Sequence, residues 1–151
     1  KDFKSCISHM MLDLAKKIVI DGEGAKKIIE ITVVNAKTIN SAKKIAFSVA
    51  NSPLVKTAIA GEDANWGRIV MAIGKSYETI DQKKIKIKFG NFLVTNNGMK
   101  YFKYSEKKLS EYLKNKEINI SIDLGLGSHK WTVYTCDLTE QYIRINADYR
   151  S

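Results

Sequence analysis

The string Lys84-Ile85-Lys86-Ile87-Lys88-Phe89 alternates a lysine with an apolar residue at every step. A strand sends successive side chains to opposite faces, so this string dictates a strand with one apolar face and one charged, solvated face. Lysines on the solvated face also discourage edge-to-edge pairing. A chain built around such a strand must cover the apolar face with other elements, and the segments with helical periodicity supply them. Phe3, Ile7, Met10, Leu14 and Ile18 recur at spacings of three or four, as do Ile39, Ala42, Ile45, Ala46 and Val49. Both patterns predict helices with an apolar stripe against a core.

The first helix is expected to end near Ile20, where Asp21-Gly22-Glu23-Gly24 supplies a glycine stop. A strand over about Lys27 to Asn35 follows. Thr38 is placed to cap the second helix, and Asn51-Ser52-Pro53 closes it, because the residue before a proline is driven out of helical geometry. Leu54 to Ala60 receives no assignment, Gly61 to Asn65 reads as a loop, and Trp66 to Ile73 as a helix. Turns at Gly90-Asn91 and Asn96-Asn97-Gly98 bound the strand Phe92 to Thr95, and Ser105 caps a helix reaching about Asn115. Strands near Glu117 to Leu124 and Lys130 to Cys136 precede a final segment from Leu138 to Ser151. The fold class is α+β, with helices packed on a mainly antiparallel sheet. At 151 residues and 44% hydrophobic content, a core can form without disulfides or metal.

Composition excludes several functions. The apolar runs fall far short of the roughly 20 residues of a membrane-spanning helix, and the N-terminal segment lacks the apolar region and cleavage site of a signal peptide. The net charge of +9 invites a nucleic-acid role. Arginine, the residue of bidentate phosphate and base contacts, occurs only at positions 68, 144 and 150, and the lysines fall on solvated faces. No nucleic-acid partner is expected; a basic module binding anionic partners is the alternative from a different class. Cys6 and Cys136 are isolated, as are His9 and His129, so no metal site is expected, and the cysteines are expected to be reduced and buried.

Three strings carry possible chemistry. In Gly22-Glu23-Gly24, glycines let backbone approach a ligand while Glu23 offers a carboxylate to an ammonium; the alternative is a helix terminator with a solvated glutamate. Gly61-Glu62-Asp63-Ala64-Asn65-Trp66-Gly67-Arg68 is either a functional loop or a structural one, with Trp66 in the core and Arg68 paired to Asp63. Gly125-Leu126-Gly127 lacks the third glycine of a dinucleotide fingerprint and reads as a turn. No self-contained catalytic motif is present.

Four strings, in order, resemble the ornithine acetyltransferase (glutamate N-acetyltransferase) family. They are Ile18-Val19-Ile20-Asp21-Gly22-Glu23-Gly24-Ala25, Ala50 to Ala58, Gly61 to Ile69, and Cys136-Asp137-Leu138-Thr139 running into Tyr142 to Ser151. The resemblance covers essentially the whole chain. It implies the C-terminal portion of a self-processing, threonine-nucleophile fold. Residues 1–36 would finish the catalytic β-chain sandwich, and residues 37–151 would form a C-terminal α+β domain whose last residues return to the active site. The activity it implies is transfer of acetyl from N-acetylornithine to glutamate through an acetyl-threonine intermediate, in cytoplasmic arginine biosynthesis. A threonine at a new N-terminus unites nucleophile and base. That threonine's alanine-threonine-methionine context is missing here, so no catalytic residue is assigned and this piece alone is expected to be inactive.

The same resemblance implies that Glu23, Asn146 and Ser151 bind substrate, with serine standing where the family more usually has threonine. Lys26 and Ala64 also depart from the usual threonine and proline. It implies partners as well: an α chain and the rest of the β chain in an α2β2 assembly. No cofactor is expected, with acetyl-CoA a co-substrate in bifunctional members. A related self-processing amidase or aminopeptidase is a further alternative. Within the family, the Gly61 to Arg68 loop is expected to serve structure or assembly.

Overall fold

The computed structural model describes residues 2–147. Helix α1 (Phe3–Ile20) leads into strand β1 (Ile28–Ala36), followed by helices α2 (Ile39–Ala50), α3 (Pro53–Ala60) and α4 (Trp66–Gly74). A 3-10 turn at Gln82–Lys84 opens strands β2 (Lys86–Phe89), β3 (Phe92–Asn96) and β4 (Met99–Lys100). Helix α5 (Glu106–Leu113), strands β5 (Glu117–Asp123) and β6 (His129–Cys136), and helix α6 (Glu140–Ala147) complete the described chain.

The strands form one sheet in the order β4-β3-β2-β5-β1-β6. Only β1 and β5 run parallel; every other neighbouring pair is antiparallel. The alternating string keeps the burial its pattern requires, although the strand itself begins only at Lys86 and Lys84 closes the 3-10 turn. Ile85, Ile87 and Phe89 are buried, while Lys84, Lys86 and Lys88 are exposed. On the same covered face lie Ile29, Ile31 and Val33 of β1 and Ile118, Ile120 and Ile122 of β5, against which α2 and α4 contribute Ile45, Val49, Ile69 and Ile73. The opposite face carries Glu30, Thr32 and Ser121, and there the Thr32 and Thr132 hydroxyls meet at 2.9 Å.

Local signals account for the helix boundaries. Thr38 accepts the Ser41 N–H at 3.0 Å and Ser105 accepts that of Lys108 at 3.3 Å, each as an N-cap. Asn65 caps α4 through the Arg68 N–H at 3.2 Å. The unassigned stretch from Leu54 is helix α3. Ser52 caps it and Pro53 occupies the first turn, where its missing N–H costs nothing, so the proline that stops α2 also starts the next helix.

Three expectations change. Helix α1 forms, but its stripe packs on no core within the described residues: none of its residues is buried, and Phe3 is 79% and Ile18 75% exposed. Its point of attachment is near its end, where the Lys16 ammonium lies 4.7 Å from the ring centre of Tyr134 on β6. Periodicity reports that a helix has an apolar face, not what covers it. Cys6, carried on that helix, is therefore exposed rather than buried, and Cys136 is half-buried. Finally, β1 is hydrogen-bonded along both edges, to β5 and β6, so the sheet does not divide at 36/37.

Candidate functional site

The Gly22-Glu23-Gly24 loop leaves the end of α1 and is turned by two backbone bonds, from the Gly22 N–H to Val19 O at 3.3 Å and from the Ala25 N–H to Gly22 O at 2.9 Å. Gly24 sits at φ +69°, and a Cβ there would lie 2.8 Å from the Tyr142 nitrogen. Both the backbone angle and the closeness of α6 demand glycine at this position. The Gly22 position is tight as well: a Cβ would lie 3.1 Å from the Cys136 sulfur.

Helix α6 brings Asn146 over this loop. Its Nδ2 donates to Glu23 Oε2 at 2.8 Å and to the Tyr142 carbonyl, one turn earlier, at 2.8 Å. With the amide nitrogen committed in this way, the Asn146 Oδ1 is left as an acceptor. Two of the residues singled out from sequence, 123 positions apart, thus form one exposed carboxylate–amide pair. The third, Ser151, lies outside the described residues. Such a pair suits an ammonium: the carboxylate of Glu23 pairs with its charge and the Asn146 Oδ1 accepts one of its hydrogens.

Residues outside the pair hold it in place. Asp137 is 3% exposed; its Oδ1 accepts the backbone N–H groups of Lys26 at 2.8 Å and Lys27 at 2.9 Å, and its own N–H donates to Lys27 O at 3.1 Å. Its Oδ2 is buried without a partner among the described residues. Thr139 donates its hydroxyl to the Gly24 carbonyl at 2.7 Å and accepts the Gln141 N–H at 3.2 Å, capping α6. Both residues belong to the Cys136-Asp137-Leu138-Thr139 string, from which no role for either is predicted. Threonine followed by an acidic residue ahead of a helix was the signal available for Thr139; nothing local reports that Asp137 is buried.

Lys26 and Arg144 lie along a shallow cavity of about 400 Å³ with Thr139, Gln141 and Ile145. Arg144 is paired with Glu140 at 3.2 Å. Ile18 and Ile20, at the end of α1 that leads into the loop, are 75% and 60% exposed, and Ile143 on α6 is 66% exposed.

The Gly61 to Arg68 string works structurally. Trp66 packs partly buried against the core. Arg68 does not pair with Asp63; its Nη1 donates to Leu54 O at 2.9 Å and to Thr57 Oγ1 at 3.3 Å, tying α4 to α3, while Asp63 accepts from the Asn65 amide at 3.0 Å. Glu62, at φ 58°, accepts from Lys27 Nζ at 3.2 Å. That ammonium also donates to Leu113 O at 2.6 Å, so the string is coupled to the chain just beyond Glu23.

Elsewhere, the Lys44 ammonium, 2.8 Å away, and then the Ser41 hydroxyl hold the Glu78 carboxyl below the usual carboxylate range. Burial, and after it the Glu30 charge, push the Tyr134 hydroxyl up. Among the described residues no group of three His, Cys, Asp or Glu is placed to hold a metal ion, and no helix is long and apolar enough to cross a membrane.

A family model described as the ArgJ family matches residues 1–151. The arginine biosynthesis bifunctional protein ArgJ of Brucella suis is 53% identical over 150 residues, which are 99% of this chain and 36% of that protein. The protein of the same name from Caulobacter vibrioides is 51% identical over 99% of this chain and 37% of its own length. The crystal structure of the arginine biosynthesis bifunctional protein argJ from Bacillus halodurans superimposes with a TM-score of 0.93 at 40% identity, over 97% of this chain and 69% of that one. The chain therefore spans little more than a third of the length of these curated relatives.

Proposed function

The chain belongs to the ArgJ family, and from that premise we propose that it is the substrate-holding part of an acetyltransferase that moves acetyl from N-acetylornithine to glutamate. The observation that carries this reading is the 2.8 Å bond between Asn146 and Glu23. It joins two of the residues that the family resemblance assigns to substrate, although they stand at opposite ends of the sequence.

The reaction follows from the chemistry of an activated threonine. A threonine hydroxyl, contributed from outside residues 1–151, attacks the acetyl carbonyl of N-acetylornithine while the adjacent amine takes its proton. Ornithine leaves with that proton, and the acetyl group stays as an ester. The amine of glutamate then attacks the ester, giving N-acetylglutamate and freeing the hydroxyl. In the first half of the reaction Glu23 holds the side-chain ammonium of N-acetylornithine, which takes no part in the bond changes, and Asn146 fixes the direction of the Glu23 carboxylate and offers its Oδ1 to the substrate. Ser151 adds a hydroxyl to the same site. No cofactor enters this scheme. Acetyl-CoA as a second acetyl donor is part of the reading, since the relatives above 50% identity carry the word bifunctional in their names.

The uncovered apolar residues of α1 and α6 support an assembly with further polypeptide; its form as α and β chains in an α2β2 enzyme of the cytoplasm is what the family resemblance adds to the reading. The test is acetyl transfer from N-acetylornithine to glutamate by the full-length protein carrying Glu23→Ala. Loss of a charge-assisted bond to an ammonium should raise KM for N-acetylornithine roughly 10- to 100-fold. An unchanged KM would show that Glu23 does not hold the substrate.

A further inference from the structure

The Glu23–Asn146 pair is exposed, so packing does not fix the distance between its two side chains. Their spacing is set by how the loop at residues 22–24 and helix α6 meet, and beside the pair itself the Thr139 side chain is hydrogen-bonded to both. The Thr139 hydroxyl donates its hydrogen to the Gly24 carbonyl at 2.7 Å, at the residue next to Glu23. The oxygen of the same hydroxyl accepts the Gln141 N–H at 3.2 Å, in the first turn of the helix that carries Asn146. One donor bond and one acceptor bond use complementary parts of one hydroxyl, so neither weakens the other. The Thr139 carbonyl accepts the Tyr142 N–H at 3.2 Å, which fixes Thr139 itself to the start of the helix. The tie is close-fitting: with Gly24 at φ +69° there is no room for a Cβ between loop and helix.

We propose that Thr139 is a positioning residue for substrate binding, its hydroxyl latching the Glu23 loop to the first turn of the Asn146 helix. The proposal rests on the reading of Glu23 as the ammonium-binding group. A substrate ammonium held between the Glu23 carboxylate and the Asn146 Oδ1 needs both at fixed separation, and a shift of about 1 Å between such groups is enough to lose binding and rate.

The two bonds can be separated. Thr139→Ser keeps both. Thr139→Asp keeps the cap on α6, because an aspartate is a strong N-cap acceptor, but it cannot donate to the Gly24 carbonyl. The full-length enzyme should be assayed with Thr139, Thr139→Ser and Thr139→Asp, each with Glu23 and with Glu23→Ala, and the melting temperature recorded for all six. Expected are a KM for N-acetylornithine within about threefold of wild type for Thr139→Ser and a rise on the order of tenfold for Thr139→Asp. With Glu23→Ala, Thr139→Asp should raise KM by less than about twofold further, because residues acting through one another are not additive. A wild-type KM for Thr139→Asp, or the same multiplication of KM in both backgrounds, overturns the proposal. So does a Thr139→Asp protein that has lost folded material without changing KM in what remains. A wild-type KM for Glu23→Ala alone removes the substrate reading and this inference with it; a raised KM there with none for Thr139→Asp removes the inference alone.

Discussion

Replacing Asp137 by alanine should loosen the Glu23 loop locally. The Asp137 side chain is 3% exposed and its Oδ1 is the acceptor for two backbone N–H groups, those of Lys26 at 2.8 Å and Lys27 at 2.9 Å. Hydrogen bonds to a charged acceptor contribute about 1.5–3 kcal/mol each. Removing the carboxylate also removes a buried oxygen, Oδ2, that has no partner among the described residues, and relief of that desolvation offsets part of the loss. Two bonds less one such offset leave a net cost of about 2–4 kcal/mol. The consequence belongs to the loop, because the bond from the Asp137 N–H to Lys27 O is made by backbone and survives the substitution. Amide hydrogen exchange of the full-length protein reads it directly: exchange at residues 26 and 27 should accelerate roughly 30-fold or more, while β1 from Ile29 onward exchanges as before. Asp137→Asn, which keeps one oxygen acceptor and places an amide where Oδ2 stands alone, should cost about 1 kcal/mol. Unchanged exchange at Lys26 and Lys27 in Asp137→Ala would refute the assignment of Asp137 as the clamp.

Two further outcomes follow from the same geometry. Gly24→Ala sets a side chain at φ +69° with its Cβ 2.8 Å from the Tyr142 nitrogen; it should cost about 1–3 kcal/mol and raise KM for N-acetylornithine, both measurable on the full-length enzyme by thermal melting and acetyl transfer. Glu78 is held below its ordinary 4.5 by Lys44 and then Ser41. A depressed carboxyl stabilises the fold above its unfolded value and loses that contribution as pH falls through the folded one. The anchoring of residues 75–81 to α2 should therefore weaken below pH 4.5 in wild type and not in Glu78→Gln, as read by exchange in that segment.

How much was legible depended on distance along the chain. Thr38 and Ser105 act within three residues of themselves, and the alternation from Lys84 to Phe89 is a pattern of neighbours, so local chemistry was enough to find these two caps and the wet face, while the cap at Asn65 went unread inside its loop. Ser52-Pro53 was half legible: the rule that proline ends a helix is as local as the rule that it starts one, and both apply here in succession. Strand pairing is not local. Nothing in β1 announces that its neighbours are β5, in parallel, and β6, and this is why the boundary expected after residue 36 passes through an intact sheet. Arg68 likewise found carbonyl and hydroxyl oxygens on α3, nearer in space than the Asp63 that is nearer in sequence.

Glu23 shows most clearly what position-by-position reading omits. From its neighbours it is a solvated glutamate between two glycines, and in the structure it is indeed exposed. A free carboxylate on a glycine loop would lose much of its affinity in the entropy of being ordered by each substrate molecule. That cost falls when the loop is already held, and here it is held at three successive places: Gly24 O by Thr139, Lys26 N and Lys27 N by Asp137, and the side chain itself by Asn146. All three anchors come from residues 137–146, so the glycines on either side of Glu23 do not leave it flexible. They let the backbone turn beneath α6 closely enough to be gripped.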